Sequence, residues 1–146
     1  SRSIMAFPFT VSPSSGNVFN TMHGGMFLTL TDILTSLHLI HALQPEMVGH
    51  VTMQLDTNFM KAAPVGHEVW AISKIDKLGK KVAFTSVDFV TDKSLEIAAS
   101  AQEEAAKEGV VAATQSYEEF RTFLSAHADV LAQGTHSKSI VGKLSL

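Results

Sequence analysis

Apolar and polar positions along the chain change period between its segments. From Gly24 to Leu43, apolar residues at Met26, Phe27, Leu30, Ile33, Leu34, Leu37 and Ile40 fall on more than one face of a 3.6-residue repeat. This predicts a helix of about five turns, enclosed by protein and ended by Pro45. From His50 to Met60 the period is two: Val51, Met53, Leu55, Thr57 and Phe59 lie on one side, and Thr52, Gln54, Asp56 and Asn58 on the other. After "AAPVG", a second long strand over 67–78 sets Val69, Ala71, Ser73 and Ile75 against Trp70, Ile72, Lys74 and Asp76. "LGKK" turns the chain into a third, Val82 to Val90. A short strand over 7–11, broken by Pro8 and closed by "SPSSG", precedes the helix. Long antiparallel strands around one apolar helix predict an α+β fold with the sheet wrapped on the helix.

The balance then shifts. Residues 92–129 hold eight acids and three bases, a net −5, which leaves +2 for the rest of a chain of net charge −3. The pattern predicts two helices: Ser94 to Glu108 with Gly109 as C-cap, then one opened by the capping box Ser116 and Glu119, with Tyr117, Phe120, Phe123 and Leu124 as its apolar stripe. "DVLAQGTHSKSIVG" alternates again and reads as the last strand; a competing register makes "LEIAASA" the last strand and the remainder a tail.

The 146 residues fit a single domain, 1–146, with a helical insertion at 93–128. The net charge gives no reason to expect a nucleic-acid partner, and the absence of cysteine excludes disulfides, a thiol nucleophile and cysteine metal ligands. Residues 24–43 come nearest to a membrane span, yet carry Asp32, His38, His41 and several hydroxyls, so insertion is not expected. His38 and His41 have no third ligand at a convincing spacing and read as packed or interfacial, so no metal is expected. No G-x-S-x-G elbow is present. Met5 would serve as a native start with a scar ahead of it. The acid-free stretch 1–31 is faintly like a transit peptide, and the closing "LSL" a poor echo of a peroxisomal signal. An intracellular protein of the cytoplasm or mitochondrion is expected.

Asp32 lies two turns inside the helix, too deep to cap it. It either shares a solvated side with Thr29 and Ser36, or is a desolvated carboxylate suited to general-base work. Gly24 and Gly25 either let the helix pack closely on the sheet or leave its first N–H groups open to a carbonyl oxygen that becomes an oxyanion. Gly24 and Asp32 are eight residues apart, roughly 12 Å along the axis. One acyl carbon cannot lie within bonding reach of both, so a reaction using both needs two copies of the helix, antiparallel across a two-fold axis.

The motif N-x-x-x-x-x-H-G-G, Asn17 to Gly25, followed by Asp32, resembles the PaaI-type branch of the hotdog-fold acyl-CoA thioesterases, above all its eukaryotic members. The resemblance extends through "VTMQLDTNFMKAA", "LGKKVAFTSVDF" and "LAQGTHSK". It implies a hotdog fold, a long central helix wrapped by an antiparallel sheet, in homodimers that often pair into homotetramers. It implies hydrolysis of an acyl-CoA, a fatty acyl-CoA by expectation, with coenzyme A as part of substrate and product and no other cofactor. Asp32 would act as general base or orient the attacking water, Asn17 and the Gly24 N–H would engage the thioester carbonyl, and Thr52, where close relatives have serine, would help hold the water. His23, Phe59, Met60, Lys61, Lys80, Lys81 and His136 would line the substrate site, the lysines and His136 beside the nucleotide part. The acidic segment 93–128 departs from the family, whose members join the fourth and fifth strands by a short turn. A hotdog hydratase or dehydratase using His23, and a non-catalytic acyl-CoA binding module, are the rival readings.

Overall fold

The computed structural model describes residues 4–91 and 129–143. Strands β1 (Ile4–Thr10), β2 (Val48–Phe59), β3 (Glu68–Leu78), β4 (Val82–Thr91) and β5 (Val130–Lys143) form one antiparallel sheet in the order β1-β3-β4-β5-β2. Helix α1 (Gly24–Leu43) connects the two edge strands and lies along the sheet. This is the hotdog arrangement that the resemblance implies. β5 pairs with both β2 and β4, so the segment containing "VLAQGTHSKSI" supplies the last strand. The two helices expected within 93–128 lie outside the described residues.

Two local expectations are corrected. β1 runs from Ile4 straight through Pro8, which stands opposite Trp70. It is an edge strand, and a proline is tolerated there because its missing N–H has no neighbour to serve. Strict alternation in β2 also fails, because the register with β5 slips between Thr52 and Gln54. A bulge reverses the facing of the residues on either side of it. Thr52 therefore reaches His136 on β5, while Thr57 and Phe59 reach Thr31 and Phe27 of α1. Alternation had put Thr52 on the side opposite Thr57 and Phe59; the bulge brings all three to the helix side.

The core sits between α1 and the sheet. Phe27 makes edge-to-face contacts with Phe59 and Phe89, at centroid distances of 6.0 and 5.1 Å. Burying a ring of that size contributes about 1.5–3 kcal/mol. At the other end of the helix, Leu39 packs with Ile75 and Ala83. Between these apolar ends the buried stripe of α1 is polar: Thr31, Thr35 and His38 are fully buried. The two threonine hydroxyls bond back to the carbonyls of Phe27 and Thr31, and His38 Nδ1 lies 2.9 Å from Ser73 Oγ. Helix and sheet meet closely where Thr31 faces Gly134, since a Cβ at 134 would fall 2.5 Å from Thr31 Oγ1 and Cγ2.

The sheet covers one side of α1. Leu28, Ile33, Leu37 and Ile40 remain 38, 48, 47 and 40% exposed. The helix expected to be enclosed is covered only where its own sheet reaches. An exposed apolar face of this kind is a typical interaction surface.

Candidate functional site

The N-terminus of α1 is built by a tight loop. Asn17 Oδ1 accepts from the N–H of Phe19 (2.9 Å), from the N–H of Thr21 (3.3 Å) and from the Thr21 hydroxyl (3.1 Å). Asn20 takes the left-handed conformation, φ 59°, that the loop needs and asparagine tolerates. With Oδ1 committed three times, the amide orientation is fixed, and Nδ2 forms no bond among the described residues. Asn17 is thus the turn residue its type suggests, and its donor is left over.

His23 is the N-cap, and its Nδ1 accepts from Gly25 N–H at 3.0 Å. The preceding donor, Gly24 N–H, has no partner among the described residues. A Cβ on Gly24 would meet only the Phe59 ring, at 3.4 Å, an ordinary contact. Packing within the chain does not require glycine there. Gly24, Gly25, Leu28, Thr57 and Phe59 line a cleft of about 410 Å³ at this helix end.

Eight residues on, Asp32 projects from the uncovered side of α1, its side chain 46% exposed. No hydrogen bond reaches its carboxylate among the described residues. Beneath it lies a cluster from three elements. His136 Nε2 is 3.7 Å from Asp32 Oδ1, too long for a hydrogen bond. The same Nε2 is 2.9 Å from Thr52 Oγ1, and Nδ1 is 2.7 Å from Thr35 Oγ1. Lys138, also buried, donates from Nζ to Ser36 Oγ at 2.6 Å. Burial, and then the Lys138 charge, press the His136 pKa down to about 4, although Asp32 pulls the other way. Burial likewise lowers His50, His38 and Lys138. The imidazole under Asp32 is therefore neutral at neutral pH.

This has a measurable consequence for stability. The unfolded chain binds a proton at a histidine near pH 6.5, whereas folded His136 resists protonation down to about 4. Stability is therefore complete above 6.5 and falls as acid is added through that window, by at most about 1.4 kcal/mol per pH unit for this residue. Lowered His38 and His50 act in the same direction. Urea midpoints should fall between about pH 7 and pH 5, less steeply in His136→Gln; equal slopes for the two proteins would contradict the assignment.

The expected site residues divide into groups. Asp32, Thr52 and His136 come together. Asn17, His23, Gly24 and Phe59 gather at the helix start, with exposed Met60 and Lys61 just beyond the end of β2. Lys61 pairs with Asp129 at 2.7 Å. Lys80 and Lys81 lie in the β3–β4 turn, where Lys81 O accepts from Ile140 N, while Lys61 N donates to Leu131 O. Nine residues of β5 separate those contacts, roughly 30 Å, so a single chain does not bring these lysines to one nucleotide. His136, expected beside the nucleotide part, is buried under Asp32 instead, because position 136 of β5 faces the helix. Thr35 and Lys138 were not singled out from the sequence, and Ser36 was read only as a neighbour of Asp32 on a solvated side. The signal for Lys138 was its spacing of two from His136, which puts both on one face of a strand.

A family model described as Thioesterase superfamily matches residues 19–98, just over half of the chain. The sequence is 31% identical over 78 residues to acyl-coenzyme A thioesterase 13 of Homo sapiens, across 53% of this chain and 54% of that protein. The chain spans about half the length of the curated relatives it matches. Its fold superposes on zebra fish thioesterase superfamily member 2 with a TM-score of 0.65 at 20% identity, covering 94% of this chain and 74% of that one. It superposes on a Streptococcus mutans protein solved bound to acetyl CoA with a TM-score of 0.66 at 17% identity, covering 97 and 84%.

Proposed function

The chain belongs to the thioesterase superfamily, and from that premise we propose that it hydrolyses an acyl-CoA, a fatty acyl-CoA in the first instance, to free acid and CoA at a site shared by two copies of the chain. The observation that carries this reading is the separation of two half-sites on one helix. An unpartnered Gly24 N–H stands roughly 12 Å from a carboxylate with Thr52 beside it. Water attacks the thioester carbon, and Asp32 takes or directs its proton. The partner subunit's Gly24 N–H and the partner subunit's Asn17 Nδ2 stabilise the oxyanion. The carbonyl re-forms, the C–S bond breaks, and CoA leaves as the thiolate, to be protonated. This chemistry calls for no metal or redox cofactor.

The uncovered helix face supports the pairing, since antiparallel contact buries Leu28, Ile33, Leu37 and Ile40 and supplies the enclosure that Asp32 lacks in one chain. Two copies also offer the nucleotide Lys61 from one chain with Lys80 and Lys81 from the other. The name of the human relative and the acetyl CoA bound to the Streptococcus mutans protein support the substrate class. The test is thiol release from acyl-CoAs of graded chain length, with sedimentation to establish assembly. Turnover by a dimer or tetramer is expected. Binding of acyl-CoA without thiol release would establish a binding module, and hydration of an enoyl-CoA without thiol release a hydratase.

A further inference from the structure

We infer that His136 is a positioning residue that fixes the direction of the Thr52 hydroxyl, making Thr52 an acceptor for the attacking water. This rests on the thioesterase reading, in which Thr52 helps hold the water, and adds to it the residue that sets which way the Thr52 hydroxyl points. The argument runs outward from the helix backbone. Thr35 Oγ1 lies 2.6 Å from Thr31 O, and two oxygens so close need a proton between them. The one hydroxyl proton of Thr35 is therefore committed to that carbonyl. At its 2.7 Å contact with His136 Nδ1, Thr35 Oγ1 can only accept, so Nδ1 carries the proton.

A neutral ring protonated at Nδ1 has a bare Nε2. Thr52 Oγ1, 2.9 Å away, then donates to Nε2 and turns its lone pairs outward. The groups facing this ring are Asp32 of α1, His50 of β2 and Lys138 of β5. A water above Thr52 gives one hydrogen to Asp32 and the other to Thr52 Oγ1, and the water's own lone pair points at the acyl carbon. Four hydrogen bonds thus share one direction, from water through Thr52, His136 and Thr35 to the Thr31 carbonyl.

The direction is read by nitrogen-15 NMR of the wild-type protein: His136 should show a protonated Nδ1 and a bare Nε2, and the opposite tautomer would overturn the inference. Its effect is read in kinetics. Thr52→Val and His136→Phe should each lower kcat roughly 10- to 100-fold with KM unchanged. Because the two residues act as one unit, the double variant should be no slower than the slower single. His136→Gln, which can still accept from Thr52, should recover part of the loss. Losses that multiply, or that fall on KM alone, would show His136 to be merely structural. Absence of turnover in the wild type would overturn the thioesterase reading together with this one, whereas turnover with the opposite tautomer would overturn only this one.

Discussion

Asp32→Asn should lower kcat by about 10²–10⁴, the range of a general base, while leaving folding and the affinity for CoA in place. The carboxylate is half-exposed, and no described residue donates to it, so its amide isostere removes no structural bond. A change of that type shifts stability by no more than about 0.5 kcal/mol. The measurement is initial-rate thiol release beside a thermal melt and a CoA titration. An Asp32→Asn protein that turns over at the wild-type rate would remove the carboxylate from the mechanism. Asn17→Asp supplies the complementary lesion. It keeps an oxygen for the bonds from Phe19 and Thr21 and replaces the Nδ2 donor with an acceptor. If each site takes Asp32 from one copy and Asn17 from the other, hybrid dimers of the two inactive variants contain one intact site of two. Random exchange should then restore about a quarter of the wild-type rate. No recovery in mass-verified hybrids would place both residues in the same chain's site.

Gly134→Ala should destabilise the fold by about 1–3 kcal/mol, the cost of overpacking, or roughly 3–12 °C in Tm. The added methyl would fall 2.5 Å from Thr31 and 3.0 Å from Val87 Cγ1. Thr31 is fully buried and bonded to Phe27 O, so it cannot swing away cheaply. The helix must lift, and that would also open the Thr35–His136 contact one turn further along. Thr31→Ala in the Gly134→Ala background removes both clashing atoms and should recover part of the lost Tm. Additive losses would show that the contact is not the cause.

The helix was legible to the residue because its apolar repeat and Pro45 after the last turn agree. The strands were equally readable wherever alternation held, as at Val69, Ala71, Ser73 and Ile75, all of which are buried. Reading failed where tertiary context overrode a local rule. Pro8 breaks a central strand but not an edge, and edge status is decided by pairing with β3. The bulge at Met53 leaves no compositional mark, yet it decides that Thr52 faces His136. Of the candidate site, Asp32, Asn17 and Gly24 were singled out by their spacing, whereas His136, which lies buried beneath Asp32, was expected beside the nucleotide part. A polar residue on a strand reads as exposed until a helix is known to lie across it.

Within the 20-residue α1 an 18-residue window reaches a mean hydropathy of 1.4, long and apolar enough to cross a bilayer. Of the five strands that pair around it, only β1 precedes it in the chain. A ribosome making 5–20 residues per second needs roughly 5–20 s to add the hundred or so residues from Leu43 to the end of β5. During that interval the nascent segment has no sheet to lie on and is open to the machinery that sorts apolar segments into membranes. Asp32 stands near its midpoint, where an aspartate opposes insertion by about 2.5–3.5 kcal/mol. The carboxylate proposed to act on water would, by the same charge, oppose misrouting of the newborn chain.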